Sequence, residues 1–359
     1  MKKLTAILKS ILVLLILKPL ALIWDSIYRF RRFAFTYGVY RQNEFVVPII
    51  SVGNLTFGGT GKTPFTLWLA EYLDSLGMKV MILMRGYKGR LEYKSGILRG
   101  GKRLNFNPSD YGDEALLLSR RLKNTSIVVG KNRSENLDHY FSEEQPDIVL
   151  LDDGHQHLKL GRNLNILLFD SLLPLDRYKV APMGYMREGF SALKDADLIV
   201  LGRVDQVSLE KKTELISLLE SHLKQKVPIA EVKYVPTGLF SSVYTKSYSV
   251  EQIVGLRAIC IAGLASPDSF FQLLESLGVE ILSRESFPDH YDYKVEDIDR
   301  LIQLATDLDA MIITTEKDMV KIRRVADYPR LVYLEIQMEF VKGEKATREI
   351  IARSFLLDH

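Results

Sequence analysis

Short apolar runs alternate with stretches of helical periodicity along most of the chain. From Phe45 onwards the runs are unbroken sequences of Ile, Val and Leu, which predict strands buried on both faces, because a strand with one solvated face alternates apolar and polar residues. The strands predicted in the first half cover residues 45–52, 80–84, 126–129, 148–151, 164–169 and 198–201. Helices are predicted over residues 63–76 and 114–122. This alternation favours an α/β fold with a doubly wound parallel sheet.

A second, smaller α/β unit is predicted to begin near Pro228. Its predicted strands cover residues 232–234, 241–248, 258–262, 280–282, 311–314 and 331–334, and its predicted helices cover residues 269–277 and 295–307. The chain has 359 residues, which leaves room for about two domains at roughly 150 residues each. We therefore predict domains over residues 33–227 and 228–359, preceded by a membrane-associated helix in residues 1–32.

The segment 1–32 is apolar at its start and becomes basic and amphipathic towards its end. Residues 4–24 have about the 20-residue length of a spanning helix, but they include two lysines and a proline. The basic residues expected to meet anionic lipid headgroups are Arg29, Arg31, Arg32 and Arg41. We predict that the segment is retained, because the sequence shows no small-residue signal cleavage site, and that it lies in the plane of a membrane. A spanning helix and a buried core helix are the alternatives.

Composition narrows the class of protein. Hydrophobic residues make up 47% of the chain and charged residues 26%, which excludes a disordered or fibrous chain. The single cysteine, Cys260, excludes an internal disulfide framework and a four-cysteine zinc site, and it fits a reducing compartment. The net charge of +3 is too small to indicate a nucleic-acid partner, and none is expected.

A glycine-rich segment, GNLTFGGTGKT over residues 53–63, joins the first predicted strand to the first predicted helix. Glycines let backbone N–H groups curl around an anion, and the positive end of the helix adds to the attraction. The predicted nucleotide-binding residues are Thr56, Phe57, Gly58, Gly59, Thr60, Gly61, Lys62 and Thr63. Lys62 would reach the β- and γ-phosphates and Thr63 would hold Mg²⁺. The generic phosphate-loop pattern has glycine where this chain has Thr56, so a glycine-rich turn without a ligand is the alternative.

Two carboxylates, Asp152 and Asp153, follow the predicted strand 148–151. Open α/β sheets bind ligands at the carboxyl ends of their strands, and an acidic residue there can hold the Mg²⁺ of a nucleotide. We therefore predict Thr63, Asp152 and Asp153 as the metal-binding residues. His155 and His157 come directly after them and are either metal ligands themselves or structural residues.

Together these motifs resemble those of the tetraacyldisaccharide 4′-kinases, the lipid A kinases of Gram-negative bacteria. The similar segments are residues 52–64, 85–87, 112–114, 152–157, 182–188, 287–290 and 315–318. The family also has threonine at the position of Thr56, whereas His155 replaces an apolar or aromatic residue. The resemblance covers most of the chain in the same order and implies that residues 33–227 are a P-loop kinase domain.

The resemblance implies transfer of the γ-phosphate of ATP to the 4′-hydroxyl of a tetraacylated disaccharide 1-phosphate, which forms lipid IVA. It implies that Asp113 is the base and His290 its partner, and that Arg187 and Glu188 line the site. Because Asp113 and His290 lie in different predicted domains, we expect domain closure to assemble the site. The implied cofactors are ATP and Mg²⁺. The implied partners are the acylated lipid and the cytoplasmic face of the inner membrane, with no obligate protein partner.

Other functions remain to be weighed against this one. A membrane-tethered regulatory ATPase of the partitioning type would share the phosphate loop, the acidic strand end and the amphipathic helix. A small GTPase is excluded, because residues 315–318 read TEKD and have the letters of the guanine motif in the wrong order. A non-enzymatic scaffold would leave the Gly-Lys-Thr sequence at residues 61–63 unexplained.

Overall fold

The computed structural model describes residues 13–101, 106–242 and 245–356, so that the first twelve residues of the predicted membrane segment lie outside the described residues. Its strands are β1 (Ile49–Asn54), β2 (Val80–Met84), β3 (Gly96–Arg99), β4 (Thr125–Val129), β5 (Ile148–Asp152), β6 (Leu164–Asp170), β7 (Leu198–Gly202), β8 (Ile229–Ser241), β9 (Lys246–Tyr248), β10 (Arg257–Ala262), β11 (Glu280–Ser286), β12 (Met311–Thr315) and β13 (Leu331–Lys342). Its α-helices are α1 (Lys18–Thr36), α2 (Lys62–Ser75), α3 (Pro108–Tyr111), α4 (Asp113–Arg121), α5 (Arg133–Glu144), α6 (Leu209–Glu220), α7 (Pro267–Ser276), α8 (Val295–Asp307), α9 (Glu316–Ile322) and α10 (Glu344–Leu356). The α/β class and the parallel sheet are confirmed.

The chain forms two compact units. The first comprises residues up to 85, residues 132–233 and residues from 338 onwards, and the second comprises residues 86–131 and 234–337. These units differ from the predicted division at residue 228, because the segment 86–131 belongs with the second unit. Asp113 and His290 therefore lie in the same unit.

In the first unit, parallel strands run in the order β7-β6-β1-β5-β2. The central strand β1 is buried along its whole length, which is why its sequence is an unbroken apolar run. Val52 near the end of β1 pairs with Asp152 of β5 on one side and with Ile166 of β6 on the other. This register brings the carboxyl end of β5 beside the loop that follows β1.

In the second unit, parallel strands run in the order β11-β10-β12-β13, and β3 pairs antiparallel with β4. Alternate residues of β10 point to two apolar clusters. Ala258 and Cys260 pack in the cluster that holds Phe271 of α7, whereas Ile259 packs in the cluster that holds Leu301 of α8. The helices thus cover both faces of the sheet, as expected for a doubly wound fold.

Helix α1 has an inverted pattern of burial. Its buried stripe carries Ala21 and Arg32, with Asp25 partly buried on the same stripe, while large apolar side chains face outwards. The exposed apolar residues of α1 are Leu20, Leu22, Ile23, Trp24, Ile27, Phe30 and Phe33. The expectation that Arg32 meets lipid headgroups is therefore wrong, since its side chain is 5% exposed and bound to carboxylates. Within the described ranges, no helix is both long enough and apolar enough to cross a membrane.

Candidate active site

The glycine-rich segment forms a loop between β1 and α2. Gly58 and Gly61 have φ angles of 98° and 83°, in the left-handed region where a side chain would be strained. Asn54 at the end of β1 donates a hydrogen bond of 3.0 Å to the hydroxyl of Thr60, which braces the loop from inside. The predicted nucleotide-binding residues 56–63 are thus one continuous turn ending at the start of α2, in the arrangement that holds phosphate groups.

The segment that contains Arg187 pairs with this loop. The Phe57 N–H donates to the Tyr185 carbonyl at 2.7 Å, and the Arg187 N–H donates to the Leu55 carbonyl at 2.7 Å. The Arg187 guanidinium lies 5.5 Å from the centre of the Phe57 ring. Arg187 is therefore held beside the phosphate loop by both its backbone and its side chain.

Lys62 and Arg187 converge on Asp153. Lys62 Nζ lies 3.4 Å from Asp153 Oδ1, and Arg187 Nη1 donates to Asp153 Oδ2 at 2.8 Å. Burial alone would raise the pKa of Asp153, but Lys62, Arg187 and the buried Arg133 outweigh burial and hold this pKa well below its ordinary range. Asp153 is consequently ionised at neutral pH. Its negative charge neutralises Lys62 and Arg187, the cations that would otherwise attract a phosphate group.

Asp152 is buried beside the first turns of α2, where Thr66 donates to its Oδ1 at 3.2 Å. Thr63 lies one turn before Thr66 on the same face of the helix. In the described part of the chain, Asn54 Oδ1 and Asp153 Oδ1 are buried oxygens that accept no hydrogen bond, although Lys62 Nζ lies 3.4 Å from Asp153 Oδ1. Hard oxygen donors of this kind fit Mg²⁺, which takes one or two protein carboxylates together with phosphate and water.

The two histidines after these carboxylates are wholly or partly buried. His155 is completely buried, and a Cβ atom at Gly53 would lie only 2.6 Å from the His155 Cβ, so this contact requires glycine at residue 53. Burial holds the pKa of His155 well below its usual value, and burial together with nearby arginines lowers that of His157 to about 3. Among the described residues, no group of three or more His, Cys, Asp or Glu side chains is placed to hold a metal ion.

A second cluster surrounds Asp113, at the first position of α4. The Asp113 side chain is 8% exposed, and its Oδ2 lies 3.2 Å from His290 Nδ1 and 3.2 Å from Lys321 Nζ. Burial raises the pKa of Asp113, but the hydrogen bond with His290 and the charge of Lys321 outweigh burial and lower it overall. The structure therefore brings the predicted base and its partner into contact within one compact unit, and domain closure is not needed for this pair to meet.

Lys317 lies on the other side of the His290 ring. Its Nζ is 3.3 Å from His290 Nε2 and donates to Asp289 Oδ1 at 3.0 Å. Because an ammonium group only donates, the Nε2 atom accepts, and the imidazole proton is left on Nδ1, where it points to Asp113. This contact assigns the tautomer of His290.

Helix α9 supplies both lysines of this cluster, and Asp318 anchors the helix. The Oδ2 atom of Asp318 accepts hydrogen bonds from the Gly263 N–H at 2.9 Å and from the Thr315 hydroxyl at 2.7 Å. The TEKD sequence thus has a positional meaning: its threonine and aspartate fix the helix, and its lysine reaches His290. The sequence shows this motif, but it did not predict the contacts of Lys317 or of Lys321, which lies one turn further on.

A family model for tetraacyldisaccharide-1-P 4′-kinases matches residues 13–355 of the chain. The chain belongs to this family. It is 36% identical over 327 residues to the tetraacyldisaccharide 4′-kinase of Geobacter metallireducens, covering 90% of this chain and 93% of the relative. It is 33% identical over 331 residues to that of Halothermothrix orenii, covering 87% and 84%.

Among solved structures, the chain is similar to LpxK from Aquifex aeolicus in complex with ATP, with a TM-score of 0.76 and 27% identity over 97% of this chain and 99% of that one. Membership of the 4′-kinase family confirms the predicted function: the chain is a kinase of lipid A biosynthesis. The partitioning-type ATPase is set aside, because the family match extends through both compact units.

Two further residues of this 4′-kinase bear on the predicted site. Glu188 is 2% exposed, and its carboxylate accepts hydrogen bonds from Arg32 and Gln156, so the structure places it in a buried network. Arg203 was missed by sequence reasoning, although its guanidinium donates to the Gly59 carbonyl at 3.0 Å and pairs with Asp170. It follows β7, and nothing in the local sequence indicates that it reaches the phosphate loop.

Proposed function

We propose that the chain transfers the γ-phosphoryl group of ATP to the 4′-hydroxyl of a tetraacylated disaccharide 1-phosphate. The observation that carries this proposal is the convergence of Lys62 and Arg187 on Asp153, at 3.4 and 2.8 Å, directly beside the phosphate loop. Both cations are thereby kept close to the place where the loop would hold a triphosphate, and they are positioned before the ligand arrives.

On the nucleotide side, Lys62 exchanges its partner Asp153 for the β- and γ-phosphates. Arg187 stabilises the charge that spreads over the transferring phosphoryl group. Thr63, Asp152 and Asp153 would hold a Mg²⁺ ion, which would supply positive charge to the phosphate oxygens. The loop residues 56–61 contribute backbone N–H groups and orient the phosphates for in-line transfer.

On the acceptor side, Asp113 removes the proton of the 4′-hydroxyl as the oxygen forms its bond to the γ-phosphorus. The bond to the bridging oxygen breaks at the same time, and ADP leaves. Both observed contacts to Asp113 use Oδ2, so we assign Oδ1 as the proton acceptor. His290 donates through Nδ1 and holds the carboxylate in place, while Lys321 keeps it ionised at neutral pH.

We further propose that α1 holds the enzyme on the inner membrane, at its cytoplasmic face. The outward residues Leu22, Ile23, Ile27 and Phe30 are each more than half exposed, which is unusual for an apolar stripe on a helix of this length. An interfacial helix buries such a stripe among acyl chains and leaves basic residues at the headgroups. A substrate with several acyl chains would be met at the same surface.

The test is incubation of the purified chain with labelled ATP, Mg²⁺ and the disaccharide lipid in detergent micelles, followed by separation of the lipids. We expect label in the lipid fraction with the native chain and none with Lys62→Ala. Lys79→Ala is the matched control, since this exposed lysine follows the same helix at its far end. ATP turnover that is independent of the lipid, with no labelled lipid, would contradict the proposal.

A further inference from the structure

The segment 187–189 is bound by α1 at each of its three residues. Its middle residue, Glu188, receives the strongest contact: Arg32 Nε donates to Glu188 Oε2 at 2.7 Å and Arg32 Nη2 donates to Oε1 at 2.9 Å. Arg32 also pairs with Asp195 at 2.5 Å. This fork of two parallel hydrogen bonds fixes direction as well as distance.

The residues on either side of Glu188 are held by the same helix. Trp24 Nε1 donates to the Arg187 carbonyl at 2.7 Å, and Asp25 Oδ1 accepts from the Gly189 N–H at 2.9 Å. A Cβ atom at Gly189 would lie 2.6 Å from Asp25 Oδ1, so a side chain there would displace the Asp25 carboxylate from this hydrogen bond. Three side chains from one face of α1 thus form hydrogen bonds with three consecutive residues.

The segment 187–189, which α1 binds, also places Arg187 beside the phosphate loop. The Arg187 N–H is bonded to Leu55, its carbonyl is bonded to Trp24, and its guanidinium is bonded to Asp153. The arginine therefore lies between the helix and the loop, and a shift of either changes the position of its backbone. A buried ion pair such as Arg32–Glu188 gives little net stability compared with apolar packing, which suggests that it is retained for geometry.

We infer that α1 is a positioning element for Arg187, so that the helix which carries the outward apolar stripe is energetically coupled to phosphoryl transfer. Arg32, Trp24 and Asp25 are the positioning residues. The inference rests on the proposed role of Arg187 in the reaction. Because coupling between two sites is reciprocal, nucleotide binding at the loop should also alter the environment of α1.

The first test compares Arg32→Met with Lys212→Met in the micelle assay. The control removes another largely buried ion pair, in which Lys212 Nζ lies 2.7 Å from Glu231 Oε2 in the same compact unit. We expect Arg32→Met to lower kcat about tenfold or more, as for the loss of a charged hydrogen bond, with little change in the KM for lipid. If α1 served only to attach the enzyme to the membrane, Arg32→Met would raise the KM for lipid and leave kcat unchanged. That result would overturn the inference.

The second test reads the coupling without lipid and without turnover. The chain has two tryptophans, so Trp68→Phe leaves Trp24 as the sole indole emitter. Addition of a non-hydrolysable ATP analogue with Mg²⁺ should shift the Trp24 emission, and the shift should be lost in Trp68→Phe with Arg187→Ala. Unchanged Trp24 emission at a saturating analogue concentration would refute the coupling even if Arg32→Met did not fold.

The two tests separate this inference from the proposed function. If the native chain labels no lipid in the micelle assay, the proposed function fails. If the native chain labels lipid and Arg32→Met retains its kcat, only the inference fails. Trp24→Phe, which keeps an aromatic ring but removes the N–H donor, is the milder variant and should lower kcat by a smaller factor than Arg32→Met.

Discussion

Asp153 and Asp113 are two carboxylates, one in each compact unit, that are paired with cationic or hydrogen-bonding side chains, and their surroundings differ in kind. Asp153 faces the cationic side chains of Lys62, Arg187 and Arg133. Asp113 instead contacts a lysine and a histidine through one oxygen, Oδ2. The first arrangement stores positive charge near a phosphate site, and the second can accept and pass on a proton. The same residue type thus receives different chemistry from its neighbours.

Of the substitutions at these two carboxylate sites, Lys62→Ala should lower the rate of transfer most, because it removes a cation from both Asp153 and the phosphates. We expect the rate of transfer to fall by about 10³-fold or more. Other phosphoryl-transfer enzymes lose about this much rate when the arginine that stabilises the transferring group is removed. Steady-state kinetics with folding checked by thermal melts would measure it. A folded Lys62→Ala protein with near-native turnover would remove the phosphate loop from the reaction.

Asp113→Ala and His290→Ala should each lower kcat by about 10²-fold or more, with a smaller change in the KM for ATP, since the pair acts mainly in the transition state. Because the two side chains act as one unit, the double variant should be little slower than the poorer single variant. Kinetics of the three proteins would check this. Fully multiplicative losses would argue against a coupled pair, and an unchanged kcat in Asp113→Ala would exclude it as the base.

Lys317→Met should have an intermediate effect. The substitution removes the ammonium donor to His290 Nε2, so this contact no longer holds the imidazole in one tautomer. We expect kcat to fall about tenfold at neutral pH, the value of one charged hydrogen bond, and the pH–rate profile to change shape. Lys294→Met, at the exposed start of α8, is a control that should keep the native profile. A native profile in Lys317→Met would show that the tautomer does not depend on Lys317.

The smallest expected effect of changing the two carboxylates is on the stability of the folded protein in acid. A carboxyl group whose pKa is lowered by folding stabilises the folded state above its ordinary pKa of about 3.9, and this contribution is lost as the pH falls through the folded value. Three cationic side chains lower the pKa of Asp153, whereas one lysine and the hydrogen bond with His290 lower that of Asp113. Thermal melts between pH 5 and 2 should therefore flatten more in Asp153→Asn than in Asp113→Asn. The reverse order would contradict the comparison.

The phosphate loop could be predicted from sequence because its parts are adjacent. A buried strand, a glycine-rich turn and a helix that begins at Lys62 follow one another within about 25 residues, and each part has a local signal. The pair Asp113 and His290 is separated by 177 residues and was found only through the family resemblance. Lys317, Lys321, Arg133 and Arg203 were missed, because no local pattern shows which distant charge a lysine or arginine will meet.

Periodicity also says which residues share a helix face but not which face is buried. Asp25 and Arg32 lie seven residues apart and therefore share a face of α1, and both bind the segment 187–189. Helices α5 and α6 were not predicted, since few of their residues are buried apolar ones and their sequences are rich in charge.

The single cysteine has a practical consequence. Cys260 lies buried in the middle of β10, and burial raises the pKa of its thiol to about 12, so it reacts poorly with alkylating reagents. A cysteine introduced on the outward stripe, for instance Ile23→Cys, would then be the one thiol open to a spin label or fluorophore in the native protein. Collisional quenching of such a label by lipid-dissolved oxygen would measure how deeply α1 enters a bilayer.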